Sequence, residues 1–350
     1  MKRKTIGGIF VIALIVIALM TACGKGGSSA PASAPAAAAA PQAAATPQFD
    51  LKLGHQTPET EPYHIAALKF KSMVESGSNG RMRVTIYPAG QLGYDRELIE
   101  GMQFGTIDFA YVTSSPLGNF IPGFAALDMP FLFKGWDHVE KVLQQPYIQD
   151  LYKTGIEKNL IPMALLPRGF RSVTNSKRPI NTAADFKGLK IRVIQSPVFV
   201  STFEALGATV TAMSWGEVFT ALQQGAIDAE ENSINTIHNE RLFEVQKYVS
   251  LTEHIFAMTT FVASKATYDK LPQDLQDLVR KSAVEASRLT GQECRAQEDD
   301  YTQKLKDKGM IFNSVDKTKL RPLVQKVYDD FIAKSDPSIA KLISDIEATN

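Results

Sequence analysis

Short apolar runs alternate with amphipathic segments from Phe49 onward, and this alternation limits the possible folds more than any other feature of the sequence. Between the runs lie segments with the apolar spacing of helices, the first beginning at Pro62. Strands that alternate with helices form largely parallel sheets covered by helices, so the sequence predicts an α/β protein. Strand-like runs fall at 51–53, 84–87, 109–112, 161–166, 190–194 and 256–263.

A second feature is a helical pattern that continues from Pro272 to about Lys308. A helix of this length exceeds the diameter of one small domain. The 350 residues also favour two domains, with three as the alternative. We therefore expect this helix to bridge two domains, and a last helix to follow from about Leu320 to Ala333.

Residues 1–48 have the features of an exported lipoprotein rather than of a folded domain. Three basic residues precede an unbroken apolar run from Ile9 to Met20, which is shorter than the roughly 20 residues of a membrane-spanning helix. Small residues then precede Cys23, as in bacterial lipoprotein signals, and Gly, Ser, Pro and Ala dominate the next stretch. The sequence predicts a signal peptide at 1–22, then a lipidated Cys23 and a flexible tether over 23–48. The alternative is an uncleaved anchor with an incidental cysteine.

Composition and missing motifs argue against several classes of function. The 38 Lys and Arg residues against 37 Asp and Glu residues do not suit a protein that binds nucleic acid by neutralising phosphates. The second cysteine, Cys294, completes no disulfide framework, and the five histidines lack the spacing of helical metal ligands. Phosphate-binding, dinucleotide-binding, serine-hydrolase and zinc-protease motifs are missing. We expect no enzyme activity, no cofactor and no metal site.

Two further expectations concern titratable residues. His55 follows a predicted strand, where ligands often bind, so it is the one histidine held in reserve as a ligand-binding candidate. The adjacent Glu230 and Glu231 are expected on a solvated face or in a loop.

The strongest functional candidate is an arginine within an apolar strand. Arg192 lies in the run Lys190 to Ile194, where a guanidinium costs too much free energy unless it is paired. One interpretation is a structural ion pair. The other is a planar fork aimed at a ligand carboxylate, which it matches with two parallel hydrogen bonds.

Several segments together resemble the solute-binding subunits of tripartite ATP-independent periplasmic (TRAP) transporters, the DctP-like proteins. The resemblance runs from about Phe49 to the C-terminus, with its motifs in one order. The segments that carry it are Gly90-Gln91-Leu92-Gly93 with Arg96-Glu97, Leu117-Gly118-Asn119-Phe120, Pro130-Phe131-Leu132-Phe133, Asn175-Ser176-Lys177-Arg178-Pro179-Ile180, Gly188-Leu189-Lys190-Ile191-Arg192-Val193, Glu217-Val218-Phe219-Thr220-Ala221-Leu222-Gln223, Glu231-Asn232 and Glu244-Val245-Gln246-Lys247-Tyr248.

The resemblance implies a periplasmic binding protein fold of two α/β lobes around a cleft, crossed by hinge strands and a long helix. We assign residues 49–168 plus about 258–297 to lobe I, and 169–257 plus about 298–350 to lobe II. It implies that Arg192 is the main carboxylate clamp, that Arg171 adds positive charge and that Trp215 packs on the ligand. The further ligand-binding residues implied by the resemblance are Asn232, Gln195, Gln56 and Thr113.

The implied function is capture of a small organic anion outside the cytoplasm and its delivery to the small and large TRAP membrane subunits, driven by an ion gradient. A C4-dicarboxylate, a hydroxy acid and a sugar acid all suit two arginines and an aromatic residue. We expect a monomer that meets the membrane only through its N-terminal lipid. The alternatives are a binding protein that serves a sensor, a periplasmic enzyme and a structural lipoprotein.

Overall fold

The computed structural model describes residues 47–350, and these form nine strands and thirteen α-helices. The predicted signal peptide, Cys23 and the tether up to residue 46 lie outside the described residues. The strands are β1 Phe49–Gly54, β2 Met82–Tyr87, β3 Phe109–Thr113, β4 Leu160–Asn175, β5 Lys190–Val193, β6 Thr209–Ala212, β7 Ala229–Ser233, β8 Tyr248–Ser264 and β9 Ile311–Ser314. The helices are α1 Pro62–Gly77, α2 Asp95–Gln103, α3 Ser114–Leu117, α4 Trp136–Leu143, α5 Pro146–Lys153, α6 Pro197–Ala205, α7 Trp215–Gln223, α8 Ile234–Asn239, α9 Lys265–Tyr268, α10 Gln273–Asp307, α11 Lys317–Leu320, α12 Gln325–Lys334 and α13 Pro337–Ala348.

All nine strands belong to one mixed sheet. Its order is β2-β1-β3-β8-β4-β7-β5-β6, and β9 pairs with β8. At one end β1 is parallel to β2 and β3, and at the other β5 is parallel to β6 and β7. The antiparallel pair β4 and β8 lies between these two groups. Each parallel group therefore presents the carboxyl ends of its strands at an edge where ligands commonly bind.

The two central strands are much longer than their sequence pattern predicts. We predicted strands at 161–166 and 256–263, but β4 has 16 residues and β8 has 17. Their pairing shifts register between Pro167 and Gly169, where Gly169 has a φ of +109°. A second shift lies between Arg171 and Val173, opposite Glu253, which has a φ of +43°. These irregularities bend both strands where they pass from one parallel group to the other.

The predicted long helix is confirmed as α10, which has 35 residues and is about 50 Å long at 1.5 Å per residue. Pro272 precedes its first turn. Gly291 allows the helix to lie directly on β4, because a Cβ atom there would be 2.6 Å from Pro167 Cγ. The glycine therefore serves close packing of the helix against one of the two central strands.

An aromatic core fixes α1 against the sheet. The ring of Phe70 on α1 lies 4.5 Å from that of Phe261 and 5.3 Å from that of Phe109, and all three side chains are fully buried. Burying one such side chain stabilises the fold by about 1.5–3 kcal/mol. This packing holds the first turn of α1, with Tyr63, beside the carboxyl ends of β1 and β3.

The C-terminal part differs from the prediction of one helix from Leu320 to Ala333. A 3-10 turn at Arg321–Val324 separates α11 from α12, because Pro322 lacks the N–H that a continuous helix needs. A further helix, α13, follows Pro337. Within residues 47–350, no helix combines the length and the apolar character needed to cross a membrane.

Candidate ligand pocket

A pocket lies where the two parallel strand groups face each other. Its first wall is formed by the ends of β1 and β3 and the start of α2, and its second wall by the ends of β5, β6 and β7. About 480 Å³ inside the pocket and its mouth is free of protein atoms. The pocket is therefore a tight chamber that suits a small solute. All seven predicted ligand-binding residues line it: Gln56, Thr113, Arg171, Arg192, Gln195, Trp215 and Asn232.

Arg192 on β5 has no carboxylate partner among the described residues. Its Nε and Nη2 donate to the backbone oxygen of Met213, over 3.0 and 2.7 Å, and its buried Nη1 has no hydrogen-bond partner there. The side chain is only 3% exposed, and burial lowers its pKa to about 10. A buried guanidinium with a free N–H group beside a pocket is a site for an anion.

Arg171 on β4 has its own counter-ion. It donates from Nε and Nη2 to both carboxylate oxygens of Glu231, over 2.5 and 2.9 Å. His254 Nε2 also donates to this carboxylate over 3.1 Å, and His254 Nδ1 accepts from the Thr252 hydroxyl. Burial alone would raise the pKa of Glu231, but Arg171 and His254 outweigh it and the pKa lies below its ordinary value. Most of the positive charge of Arg171 is therefore balanced inside the protein.

Asn232 on β7 is oriented by its neighbours. Its Nδ2 donates to Glu230 over 3.3 Å, and its Oδ1 accepts from the backbone N–H of Ser233 over 3.2 Å. Glu230 also accepts from the Thr174 hydroxyl over 2.8 Å. Burial, with a smaller contribution from neighbouring Glu231, raises the pKa of Glu230 to about 7. The amide can therefore present its remaining N–H to a ligand oxygen.

Trp215, the first residue of α7, covers the guanidinium of Arg192. The guanidinium carbon lies 5.3 Å from the centre of the indole ring, within the range of a cation–π interaction. The indole N–H donates to Glu240 over 3.0 Å. Trp215 thus fixes the position of Arg192 as well as lining the pocket.

Four polar side chains build the first wall. The Gln56 amide donates to Asp95 over 2.9 Å and to the Thr113 hydroxyl over 3.1 Å, while the Thr113 backbone N–H donates to Asp95 over 2.8 Å. The Tyr63 hydroxyl lies 2.8 Å from the Thr113 hydroxyl. Burial raises the pKa of Asp95 to about 6. This wall therefore contains a buried carboxyl group that only neutral groups contact.

Arg168 on β4 lies on the floor of the pocket in a second ion pair. It donates to Glu61 over 2.8 Å and to the Tyr63 hydroxyl over 3.2 Å, and its guanidinium lies 4.6 Å from the centre of the Tyr63 ring. Burial opposes the charge, but Tyr63 and Glu61 raise the pKa of Arg168 above its ordinary value. This arginine is therefore ionised and paired.

Direct contacts join the two walls above the pocket. The Asn119 amide donates to the backbone oxygen of Gln195 over 2.8 Å. The Tyr94 ring lies against Gly216, where a Cβ atom would be 2.1 Å from the Tyr94 hydroxyl oxygen. The two walls are therefore in direct contact with each other beside the pocket.

Comparison with known proteins identifies the family. The model of the bacterial extracellular solute-binding proteins of family 7, the DctP family, matches residues 53–335. The chain belongs to this family.

Relatives and solved structures of family 7 agree over most of the chain. The 2,3-diketo-L-gulonate-binding periplasmic protein of Escherichia coli is 32% identical over 298 residues, which are 85% of this chain and 91% of that protein. A TRAP solute-binding protein from a Polaromonas species, bound to D-erythronate, is 35% identical with a TM-score of 0.83 and covers 86% of this chain and 99% of its own. One from Xanthobacter autotrophicus, bound to β-D-galacturonate, is 31% identical with a TM-score of 0.83, over 86% and 100% of the two chains.

Membership of family 7 confirms several predictions. The fold is the two-lobed α/β fold of TRAP solute-binding proteins, with its long helix. Proteins of this family act outside the cytoplasm, bind small organic acids and work with TRAP membrane subunits; they are binding proteins, not enzymes. Within the described residues, no group of three or more His, Cys, Asp and Glu side chains is arranged to hold a metal ion, and the absence of a metal site stays a prediction. The ligand-binding role of each pocket residue and the lobe boundaries stay predictions.

Two expectations about titratable residues of this family 7 protein were wrong. Glu230 and Glu231 are fully buried on β7 rather than solvated, because Thr174 and Arg171 on neighbouring β4 provide their hydrogen bonds. His55 does not line the pocket: it is fully buried, and its Nε2 lies 3.0 Å from His64 Nδ1. Burial lowers the pKa of His55 to about 3, so it is a neutral structural residue.

Sequence reasoning also missed pocket residues, above all Asp95 and Tyr63. Asp95 lies two residues after Gly93, the last residue of Gly90-Gln91-Leu92-Gly93, and begins the helix after β2. This position at the carboxyl edge of the sheet could have marked it. Tyr63 stands in the first turn of a helix whose apolar pattern hides its polar role.

Proposed function

We propose that this chain captures a sugar acid or a related hydroxy acid in the pocket and presents it to TRAP membrane subunits, with Arg192 as the carboxylate clamp. One observation carries the proposal: the Arg192 guanidinium is buried beside the pocket, hydrogen-bonds only to a backbone oxygen and leaves Nη1 without a partner among the described residues. A ligand carboxylate would satisfy both the charge and the free N–H.

The other predicted residues have supporting roles. Arg171, which Glu231 already balances, offers a weaker attraction than the resemblance implied and mainly shapes the second wall. Asn232, Gln195 and Gln56 offer hydrogen bonds to ligand oxygens, as does the Thr113 hydroxyl. Trp215 holds Arg192 in position and lines the pocket, where its ring can pack on the ligand.

The class of ligand is supported by relatives that are bound to or named for such acids. D-Erythronate, β-D-galacturonate and galactonate occupy solved structures with TM-scores of 0.83 to this chain. These acids all combine a carboxylate with several hydroxyl groups. The pocket is complementary to such acids: one free guanidinium can bind the carboxylate, and a wall of hydrogen-bonding side chains can bind the hydroxyl groups.

Closure by movement of two lobes is supported by the contacts between the walls, which a ligand between them would strengthen. We retain the proposed lobe boundaries, 49–168 plus about 258–297 and 169–257 plus about 298–350. The irregularities of β4 near Gly169 and of β8 near Glu253 support them, because both lie beside the proposed crossings.

We also propose that the protein is a monomer anchored by a lipid on Cys23. The sequence around Cys23 and the composition of 24–48 support the anchor. Replacing Cys23 by Ala should leave the unprocessed precursor or release the protein from the membrane fraction, while Cys294→Ala should not. Wild-type protein that is free of lipid and soluble after export would contradict the anchor.

Mass spectrometry of the small molecules released from purified protein tests the proposed function. The expected result is a carboxylic acid bound at one per chain in the wild type and depleted in Arg192→Ala. Release of no carboxylic acid, together with no stabilisation by any acid of the relatives' ligand class, would contradict the proposal.

A further inference from the structure

Four charged side chains line the pocket in the described part of the chain. They are Asp95, Arg168, Arg171 and Arg192. Three arginines suggest a strongly positive chamber that could hold two carboxylates. How many carboxylates the chamber can hold depends on how many of these arginines already have a counter-ion in the protein.

Two of the three arginines are neutralised inside the protein. Arg168 pairs with Glu61 over 2.8 Å, and Arg171 pairs with Glu231 through two N–H groups. Both carboxylates are fully buried, so solvent does not weaken these pairs. Only Arg192 is left to attract an anion, and one guanidinium matches one carboxylate.

The opposite wall contains a buried carboxyl group, that of Asp95, without a positively charged partner among the described residues. Asp95 is 8% exposed and, within residues 47–350, forms no ion pair: its Oδ1 accepts from the Thr113 N–H and its Oδ2 from the Gln56 amide. Each of these oxygens keeps a further lone pair. A ligand hydroxyl can donate a hydrogen bond to either oxygen of Asp95. A second ligand carboxylate would instead be repelled by the negative charge of Asp95, in a pocket that excludes most water.

We infer that Asp95 determines which acids the pocket accepts: it favours a polyhydroxy acid with a single carboxylate and rejects the corresponding dicarboxylic acid. This inference rests on the proposed function, because it takes Arg192 as the clamp for the first carboxylate. It also narrows the ligand class, since C4-dicarboxylates were among the acids that the sequence allowed but do not fit the paired state of Arg168 and Arg171.

Aldonic acids and their aldaric counterparts provide matched probes. D-Galactonate and galactarate differ only at the last carbon, which belongs to a CH2OH group in galactonate and to a second carboxylate in galactarate. D-Erythronate and meso-tartrate differ in the same way and have four carbons. Calorimetric titration of the wild type should show at least one aldonate binding, with its aldarate about tenfold to 150-fold weaker, as expected for losing one hydrogen bond to a charged group.

Asp95→Asn keeps the size of the side chain and removes its charge, and Gln56 can turn its amide to match. This variant should bind the aldonate more weakly and narrow the aldonate-to-aldarate ratio by about tenfold. Asp50→Asn, which changes an exposed carboxylate at the start of β1, should leave the ratio unchanged. A thermal melt confirms that each variant folds.

Three results would overturn the inference: an aldarate that binds as well as its aldonate, an unchanged ratio in Asp95→Asn, or no binding of any aldonate. The acid released from the purified protein then separates the two levels of the account. An amino acid or a dicarboxylate that needs Arg192 would refute the role of Asp95 and leave the clamp intact. Equal binding of an aldonate by wild type and Arg192→Ala would refute the clamp itself.

Discussion

Replacing Arg192 by Ala separates a ligand clamp from a structural ion pair. The hydrogen bonds of the guanidinium go only to the Met213 backbone oxygen and its other contact is the Trp215 ring, so it forms no ion pair with a carboxylate of the described chain. Removing it should therefore affect the ligand complex much more than the empty protein.

The expected loss of binding follows from the energy of a buried charge pair. Truncating one partner of such a pair costs roughly 2–5 kcal/mol, which is about 30-fold to several thousand-fold in affinity. Arg192→Lys should recover little of this loss, because an ammonium group lacks the planar pair of N–H donors. Arg83→Ala, at an exposed pair with Asp50, serves as the control and should bind normally.

The empty protein should change little in stability. A pKa lowered from 12.5 to about 10 corresponds to a cost of about 3 kcal/mol for burying the charge. Arg192→Ala removes this cost and loses packing on Trp215 and two hydrogen bonds, which are effects of similar size and opposite sign. We expect the melting temperature without ligand to shift by no more than about 3 °C.

Calorimetric titration and thermal melts of the wild type, Arg192→Ala, Arg192→Lys and Arg83→Ala test both expectations. The acid recovered from the wild type is the ligand. Normal binding by Arg192→Ala together with a much lower melting temperature would show that Arg192 is a structural residue, and Arg171 would become the next candidate for the clamp.

Three further predictions concern the surroundings of the clamp. Arg171→Ala should lower the free energy of unfolding by about 3–5 kcal/mol in urea, because it leaves Glu231 buried without its partner, and adding Glu231→Gln should recover part of the loss; an unchanged unfolding curve would contradict the pairing. Gly216→Val should weaken ligand binding by about 5-fold to 150-fold, because the new side chain meets Tyr94 between the walls, and Tyr94→Ala should restore it if closure is the cause. The third concerns Asp128, whose buried carboxyl accepts from the hydroxyls of Ser115 over 2.8 Å and Ser196 over 3.3 Å. Burial raises the pKa of Asp128 to about 7, so the folded state holds this proton more tightly than the unfolded chain. The resulting stability is complete below about pH 4 and is lost as the pH rises through 7. At pH 8, Asp128→Asn should therefore have a free energy of unfolding higher than that of the wild type, by an amount on the order of 4 kcal/mol, and should melt at a higher temperature. This difference in stability should shrink at pH 5. A difference that does not change with pH would refute the prediction.

Much of the fold follows from local sequence patterns. The apolar spacing after Pro62 and after Pro272 predicted α1 and α10 to within one or two residues, since long periodic helices carry a strong pattern. The long strands β4 and β8 were predicted only in part. Their outer halves carry Arg171, Thr174 and His254, which a local pattern reads as loop and which tertiary partners make suitable for a buried strand.

The pocket also combines a residue that the sequence predicted with contacts that only the folded structure reveals. An arginine in an apolar strand pointed to Arg192, because its cost without a partner is visible from the sequence alone. The partners of Arg171 and Arg168 were not predictable, since Glu231 and Glu61 reach them through strand pairing and helix packing that no spacing rule records. Charge balance in the pocket, and with it the number of ligand carboxylates, is therefore a property of the folded structure.

The central claim is that the free guanidinium of Arg192 meets the carboxylate of the ligand. A double-mutant cycle tests it most directly: wild type and Arg192→Ala are each titrated with the acid recovered from the protein and with its neutral primary amide. Our account predicts a coupling energy of about 2–5 kcal/mol between the guanidinium and the carboxylate, and less than about 0.5 kcal/mol when Arg83→Ala replaces Arg192→Ala. A coupling energy near zero at Arg192, with the acid still bound more tightly than the amide, would show that another group holds the carboxylate.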